Sequence, residues 1–435
     1  MQIFGSDGFR CKFGEKYMTP EFIYDFANSL GDYCINGRLN QPILIARDTR
    51  ASGVILEDLI SAILQYKGLK VVLCGIIPTP GLSAVLSTGK FSIGIMITAS
   101  HNPHHDNGIK LFNADGFKLE ESVEAEIERG ILEHGKLDLV EGHGFEGKTF
   151  IDGPSIYGNY VANQFSETEV KDSILVDCSN GACSYVVKEN LKNCKNIHFI
   201  NDSPNGQNIN LGCGALEAEN LLSLVRSGNH DYGIAFDGDG DRSVFVSSDY
   251  GVIESEKLLC LFYQLLKPSH ESKVVISTEI CNLALAHNLH ALGANLIETE
   301  VGDRFVSEEV RNMNAVIGAE PSGHYYFPLI SKSMDGFLGL HHFLKLIEVF
   351  GKELPDQLAK LKHYDRVRKD ISLENSNKID IDSIKKELLL KIDPNEEKLV
   401  IRRSMWDPVL RVYYDYVKTN RFNVIETAIN DLLLN

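Results

Sequence analysis

Short apolar runs alternate along this chain with stretches of helical period, a pattern that predicts strand, helix, strand over most of its length. Pro42-Ile43-Leu44-Ile45-Ala46 reads as a strand. After Ser52, the three- and four-residue spacing of Leu56, Leu59, Ile60, Ile63 and Leu64 predicts a helix that stops near Gly68, and Lys70 to Leu73 is the next strand. A second unit opens with Ile174-Leu175-Val176-Asp177. A third runs from Val274-Val275-Ile276 through a helix between Leu283 and His290. Such alternation predicts an α/β fold with mostly parallel sheets covered by helices. The glycine-rich stretch from Glu141 to Gly147 reads as a boundary. The expected units are 1–145, 146–248 and 249–362, alike in architecture rather than in residues. From about residue 363 to 435 the texture changes to charged helix and isolated strands, Val400-Ile401-Arg402 and Leu410-Arg411-Val412-Tyr413.

Each of the three units delivers one chemically distinctive loop after an apolar strand. Gly94-Ile95-Met96-Ile97 runs into Thr98-Ala99-Ser100-His101-Asn102-Pro103, with Lys110 ten residues beyond the serine. A hydroxyl on a loop at the carboxyl end of a strand is where α/β proteins place chemistry. Tyr232-Gly233-Ile234-Ala235-Phe236 leads to Asp237-Gly238-Asp239-Gly240-Asp241-Arg242. Three carboxylates at alternate positions converge only if the backbone turns tightly, which glycine permits. Converged, they repel unless a hard cation joins them. An EF-hand does not fit, since it needs glycine at loop position six and glutamate at twelve, where Arg242 and Ser248 stand. A small, open Mg²⁺ site beside a phosphate fits better. The third loop, Gly318-Ala319-Glu320-Pro321-Ser322-Gly323-His324, offers a carboxylate, a hydroxyl and an imidazole, groups that read the hydroxyls of a sugar.

Composition narrows the ligand. The 435 residues carry 60 acidic and 43 basic side chains, a formal charge of −17, so nucleic acid is not an expected partner. An acidic chain that handles anionic sugar phosphates must concentrate its cations, and Arg10, Arg47, Lys110, Arg242, Arg304, Arg402 and Arg411 are candidates. Nine cysteines without a paired frame suggest free thiols in a reducing cytoplasm. No window suggests a signal peptide or membrane span, so neither secretion nor a membrane partner is expected.

Taken in order and spacing, the three loops resemble the signature loops of the α-D-phosphohexomutases, and the resemblance runs over essentially the whole chain. Phe4-Gly5-Ser6-Asp7-Gly8-Phe9-Arg10, Val176-Asp177-Cys178-Ser179-Asn180-Gly181-Ala182, Pro204-Asn205-Gly206-Gln207-Asn208-Ile209-Asn210 and Val301-Gly302-Asp303-Arg304-Phe305-Val306 look most like the branch acting on hexosamine phosphates. The resemblance implies three similar mixed or parallel α/β domains and a smaller α+β carboxyl-terminal domain around a central cleft. It implies interconversion of a hexosamine 6-phosphate and 1-phosphate through a phosphoserine at Ser100 and a sugar bisphosphate intermediate. One Mg²⁺ would be held by Asp237, Asp239, Asp241 and a phosphoserine oxygen. Lys110, Arg242 and Arg10 would offset phosphoryl charge, and His101 and Lys110 are the candidates for proton handling. Glu320 and Ser322 would hold ring hydroxyls, with His324 assisting or bracing the loop, and Arg304, Arg402, Ser404 and Arg411 would contact substrate. Mannose or glucose phosphates are the alternative substrates, and a non-catalytic sugar-phosphate binder the alternative class. Monomer and homodimer both remain open.

One departure stands out. The family's phosphate loop in the fourth domain reads Arg-x-Ser-Gly-Thr-Glu-Pro, and this chain has Arg402-Arg403-Ser404-Met405-Trp406-Asp407-Pro408. Glycine there lets backbone N–H groups approach an oxyanion, and methionine restricts that approach.

Overall fold

A computed structural model of the chain describes residues 3–133, 147–165, 170–373, 381–390, 392–403, 409–418 and 421–427. Four sheets succeed one another. The first contains β1 (Phe9–Lys12), β2 (Ile43–Arg47), β3 (Val71–Ile76), β4 (Ile93–Ile97), β5 (Asp106–Asn113) and β6 (Thr149–Phe150), in the order β1-β5-β4-β2-β3-β6. The second contains β7 (Ile174–Asp177), β8 (Ile197–Ile200), β9 (Tyr232–Phe236), β10 (Ser243–Ser247) and β11 (Gly251–Ile253), in the order β11-β10-β9-β7-β8. The third joins β12 (Val274–Thr278), β13 (Asn295–Thr299), β14 (Ile317–Ala319) and β15 (Tyr325–Tyr326) as β13-β12-β14-β15. The last is an antiparallel sheet of β16 (Asp365–Ser372), β18 (Val409–Tyr416) and β17 (Glu397–Arg403).

The helix expected after Ser52 is Ala51–Tyr66, which buries Leu56, Ile60, Ile63 and Leu64 against the first sheet. The helix expected between Leu283 and His290 is Leu283–Ala291. Two features differ from the pattern read along the chain. First, β6 pairs in parallel with β3, so residues 149–150 extend the first sheet beyond the expected boundary at 145/146. A two-residue exposed strand carries no hydrophobic period and is invisible to pattern reading. Most of the glycine-rich stretch lies outside the described residues. Second, one hydrophobic cluster runs from Tyr157 to Leu358 without a break, so the second and third sheets share a core.

The first three sheets are mixed, and the way they are mixed positions the site. Strands β2 and β4, β7 and β9, and β12 and β14 run parallel. Each inner strand then turns back into an antiparallel neighbour: β4 into β5, β9 into β10, and β14 into β15. The serine, acidic and Glu320 loops are those three turns. Each of these loops is anchored at both ends by strands of one sheet, which suits loops that must hold charge in register.

No helix among the described residues is long and apolar enough to cross a membrane. All nine cysteines are free.

Candidate active site

Ser100 sits at φ 50°, in the left-handed region that a residue with a β-carbon enters at a cost of about 1–3 kcal/mol. Such strain persists only where neighbours over-determine it, and here they do. The buried guanidinium of Arg50 donates to the carbonyls of Ser100 (2.9 Å), Asn102 (2.8 Å), Asp106 (3.0 Å) and Pro103. Asp48 neutralises it at 2.9 Å and also accepts from Thr98 Oγ1 at 2.7 Å. From the second sheet's loops, Asn210 Nδ2 donates to Ser100 O (2.9 Å) and Asn102 O (3.1 Å). The serine hydroxyl is thereby aimed at the acidic loop, donating to Asp237 Oδ2 at 2.6 Å, with His101 Nδ1 at 3.2 Å.

The acidic loop folds as its glycines allow. Gly240 has φ 71°, and a β-carbon on Gly238 would lie 2.6 Å from Ser100 O and 2.7 Å from Ile209 Cδ1. Gly238→Ala must therefore push the two loops apart. Because a misplacement of about 1 Å can cost about 10²-fold in rate, turnover should fall by about that factor, measured as kcat beside a thermal melt.

Asp237, Asp239 and Asp241 are buried and present ligand oxygens within 4.8 Å of one another, an arrangement able to hold a metal ion. Lys110 Nζ bridges Asp239 Oδ2 (2.9 Å), Asp241 Oδ2 (2.8 Å) and Asp7 Oδ2 (3.0 Å). Burial works against the ammonium charge, yet these three carboxylates outweigh it and hold Lys110 well above its usual range. Burial, then the repulsion of Asp241 and Asp239, pushes the Asp237 carboxyl well up, the mark of a charge conflict that Lys110 alone does not resolve. Among the described residues, Asp239 Oδ1 is buried without a hydrogen-bond partner. Burial and the nearby Arg242 and Arg10 hold the His101 imidazole neutral, with its pKa down at about 3.

The third loop docks on the second through an isolated antiparallel bridge between Arg242 and His324. His324 Nε2 lies 3.1 Å from Asp241 Oδ1, and Nδ1 lies 2.5 Å from Glu320 Oε2. Burial and Arg242 oppose protonation, but the two carboxylates prevail and raise the pKa to about 10. Arg242 Nε also lies 3.1 Å from His324 Nε2, so a carboxylate and a guanidinium converge on the same ring nitrogen. His324 braces the loop, while Ser322 Oγ, 3.1 Å from His324 Nδ1, stays at the cleft.

A cleft of about 610 Å³ unites these parts, lined among others by Arg10, His101, Arg242, Glu320, Ser322, His324, Arg402 and Arg411. The fourth sheet reaches it because Asp415 pins that sheet to the third. Asp415 accepts from Leu283 N at 2.8 Å, and Arg366, its partner within the fourth sheet at 2.5 Å, donates to Ile280 O at 2.8 Å. Arg402 and Arg411 face each other across β17 and β18. Directly opposed like charges are destabilising; Asp370 Oδ2, 3.7 Å from Arg411 Nε, offsets one of the two, and an anionic phosphate would offset the other. Ser404, Met405, Trp406 and the rest of the departing loop lie outside the described residues.

Two expected cations are engaged elsewhere. Arg304 is bidentate on Glu124 (2.8 and 2.7 Å), because the helix Asp303–Asn312 buries its start against the first domain's Glu121–Leu132 helix. Arg47 pairs with Glu57 at 3.4 Å and does not line the cleft. Sequence reading missed Arg50, Asp48, Asn210, Thr79, Asp7 and Lys118. The one signal among them is that Asp48 and Arg50, with Thr49, follow an apolar strand, as the three recognised loops do.

Residues 1–137 match the family model described as phosphoglucomutase/phosphomannomutase, alpha/beta/alpha domain I, and residues 254–364 match its domain III. The chain is 34% identical to a phosphoglucosamine mutase of Caldicellulosiruptor saccharolyticus, over 97% of this chain and 98% of that one. It is 31% identical to one of Alkaliphilus oremlandii, over 99% and 98%. Its fold is similar to that of a Burkholderia thailandensis phosphoglucomutase/phosphomannomutase family protein, with TM-score 0.80, 20% identity and coverage of 99% and 96%. It is also similar to Aspergillus fumigatus N-acetylphosphoglucosamine mutase solved with GlcNAc-6P and magnesium, with TM-score 0.66, 14% identity and coverage of 100% and 96%.

Proposed function

The chain belongs to the α-D-phosphohexomutase family, and on that premise we propose that it interconverts glucosamine 6-phosphate and glucosamine 1-phosphate. The observation that carries the reading is Ser100 Oγ held 2.6 Å from Asp237 of an acidic triplet whose other two members Lys110 bridges, next to His101 and Arg242, which line one cleft with Glu320 and Ser322. The full-length likeness to named phosphoglucosamine mutases supports the hexosamine among the possible sugars.

In this proposal Ser100 carries the phosphoryl group and gives it to the free hydroxyl of the sugar phosphate. The resulting bisphosphate turns over in the cleft and returns its other phosphoryl group to Ser100. The residues present fit a metal: three hard oxygen donors, one buried oxygen without a partner, and a charge conflict at Asp237. Mg²⁺ held by Asp237, Asp239, Asp241 and a phosphoserine oxygen would neutralise charge on the transferring group. Lys110, Arg242 and Arg10 offset the remaining charge, and His101 and Lys110 are the groups that handle the hydroxyl proton. Glu320 and Ser322 hold ring hydroxyls so that either end of the sugar can face Ser100.

Arg402 and Arg411 grip the phosphate that is not being transferred. Removing a charge-assisted bond costs about 1.5–3 kcal/mol, so Arg402→Ala should raise KM about 10- to 100-fold. A smaller fall in kcat is expected, because remote binding energy helps orient the reacting end. Steady-state kinetics checks both. Assay of the purified chain against glucosamine, glucose and mannose 6-phosphates tests the substrate. The highest kcat/KM is expected with glucosamine 6-phosphate, and a preference for mannose or glucose would overturn the hexosamine assignment.

A further inference from the structure

Thr79 comes from the first domain, yet it grips the acidic loop of the second. Its hydroxyl donates to Asp239 Oδ2 at 2.6 Å, and its backbone N–H donates to Asp239 O at 2.8 Å. It opens the helix Thr79–Leu86 and is 2% exposed. Two bonds to the main chain and the carboxylate of one residue fix how that carboxylate is turned. Lys110 also reaches Oδ2, at 2.9 Å, but it divides itself among three carboxylates on a flexible stem. Thr79 is β-branched, with a stiff side-chain torsion and a backbone anchored at a helix start. With Oδ2 occupied twice, the oxygen of the triplet left without a partner among the described residues is Asp239 Oδ1.

We propose that Thr79 is a positioning residue for the metal site: it takes Asp239 Oδ2 so that Oδ1 is presented to the cation. This rests on the reading of the acidic triplet as the metal ligands. Groups that orient a ligand carboxylate or imidazole typically set metal affinity 10- to 100-fold. Thr79 also makes that affinity depend on contact between the first two domains, since ligand and orienting group come from different sheets.

The test is calorimetric titration of the metal-stripped, full-length chain with Mg²⁺ alone. Thr79→Val keeps the branched shape and the backbone bond and removes only the hydroxyl, so Kd should rise about 10- to 100-fold. Thr79→Ser restores the hydroxyl and should bind close to the wild-type value. Melting in metal-free buffer confirms that each variant is folded, and Thr79→Ala replaces the valine variant should that one not fold. Unchanged affinity in the variants lacking the hydroxyl overturns the proposal, as does a serine variant that binds as weakly as they do. Wild-type chain that shows no saturable Mg²⁺ binding removes the metal reading itself, and this proposal with it.

Discussion

Ser100→Ala is expected to lower turnover by about four orders of magnitude or more, the scale seen when a covalent nucleophile is removed, while the chain stays folded. The fold is spared because Arg50 and Asn210 hold the carbonyl of residue 100, not its side chain. Alanine keeps both bonds and gives up the donation to Asp237 and the contact with His101 Nδ1. Melting temperature should therefore change little as activity disappears. That separation marks a carrier of the transferred group rather than a structural serine.

The second large effect concerns the cation. Chelation should abolish turnover and added Mg²⁺ should restore it, because three buried carboxylates with one bridging lysine retain a conflict that burial intensifies. Binding to the folded chain alone adds about 2.7 kcal/mol of stability when the metal is at 100 times its Kd, so melting should shift upward with Mg²⁺. Asp239→Asn should weaken both the shift and the activation, since it removes a charge while Thr79 and Lys110 still occupy the site. Turnover in metal-free buffer at the full rate would show that the acidic loop has another purpose.

The parts of the site visible in the sequence are those in which chemistry is concentrated over a few residues. Ser100 with His101, the alternating Asp237, Asp239 and Asp241, and Glu320 with Ser322 and His324 each follow an apolar strand, and the structure brings all three loops to one cleft. What stayed hidden acts singly and from far along the chain. Arg50, Asn210 and Thr79 are isolated polar residues whose partners lie 50, 110 and 160 positions away. Apart from the apolar strand that precedes Arg50, nothing local separates them from surface residues. Asp7, Lys118 and Asp303 form another such chain, with Lys118 at 2.5 Å from both carboxylates, tying the first domain to the third. Arg304 is the converse case. A guanidinium beside a recognised motif reads as an anion binder, yet Glu124, on a helix from another domain, claims it. The antiparallel return after the Glu320 loop was equally illegible, because β15 is only two residues long.

In the proposed mechanism a phosphoryl group passes through Ser100. Intact-mass measurement and peptide mapping of the chain, before and after incubation with a sugar bisphosphate and then with excess glucosamine 6-phosphate, test this directly. The expected result is one phosphate, on the Ser100 peptide, that the bisphosphate installs and that exchanges with isotopically labelled substrate as turnover proceeds. Full turnover with Ser100 unmodified throughout, or with the exchanging phosphate on another residue, would contradict it.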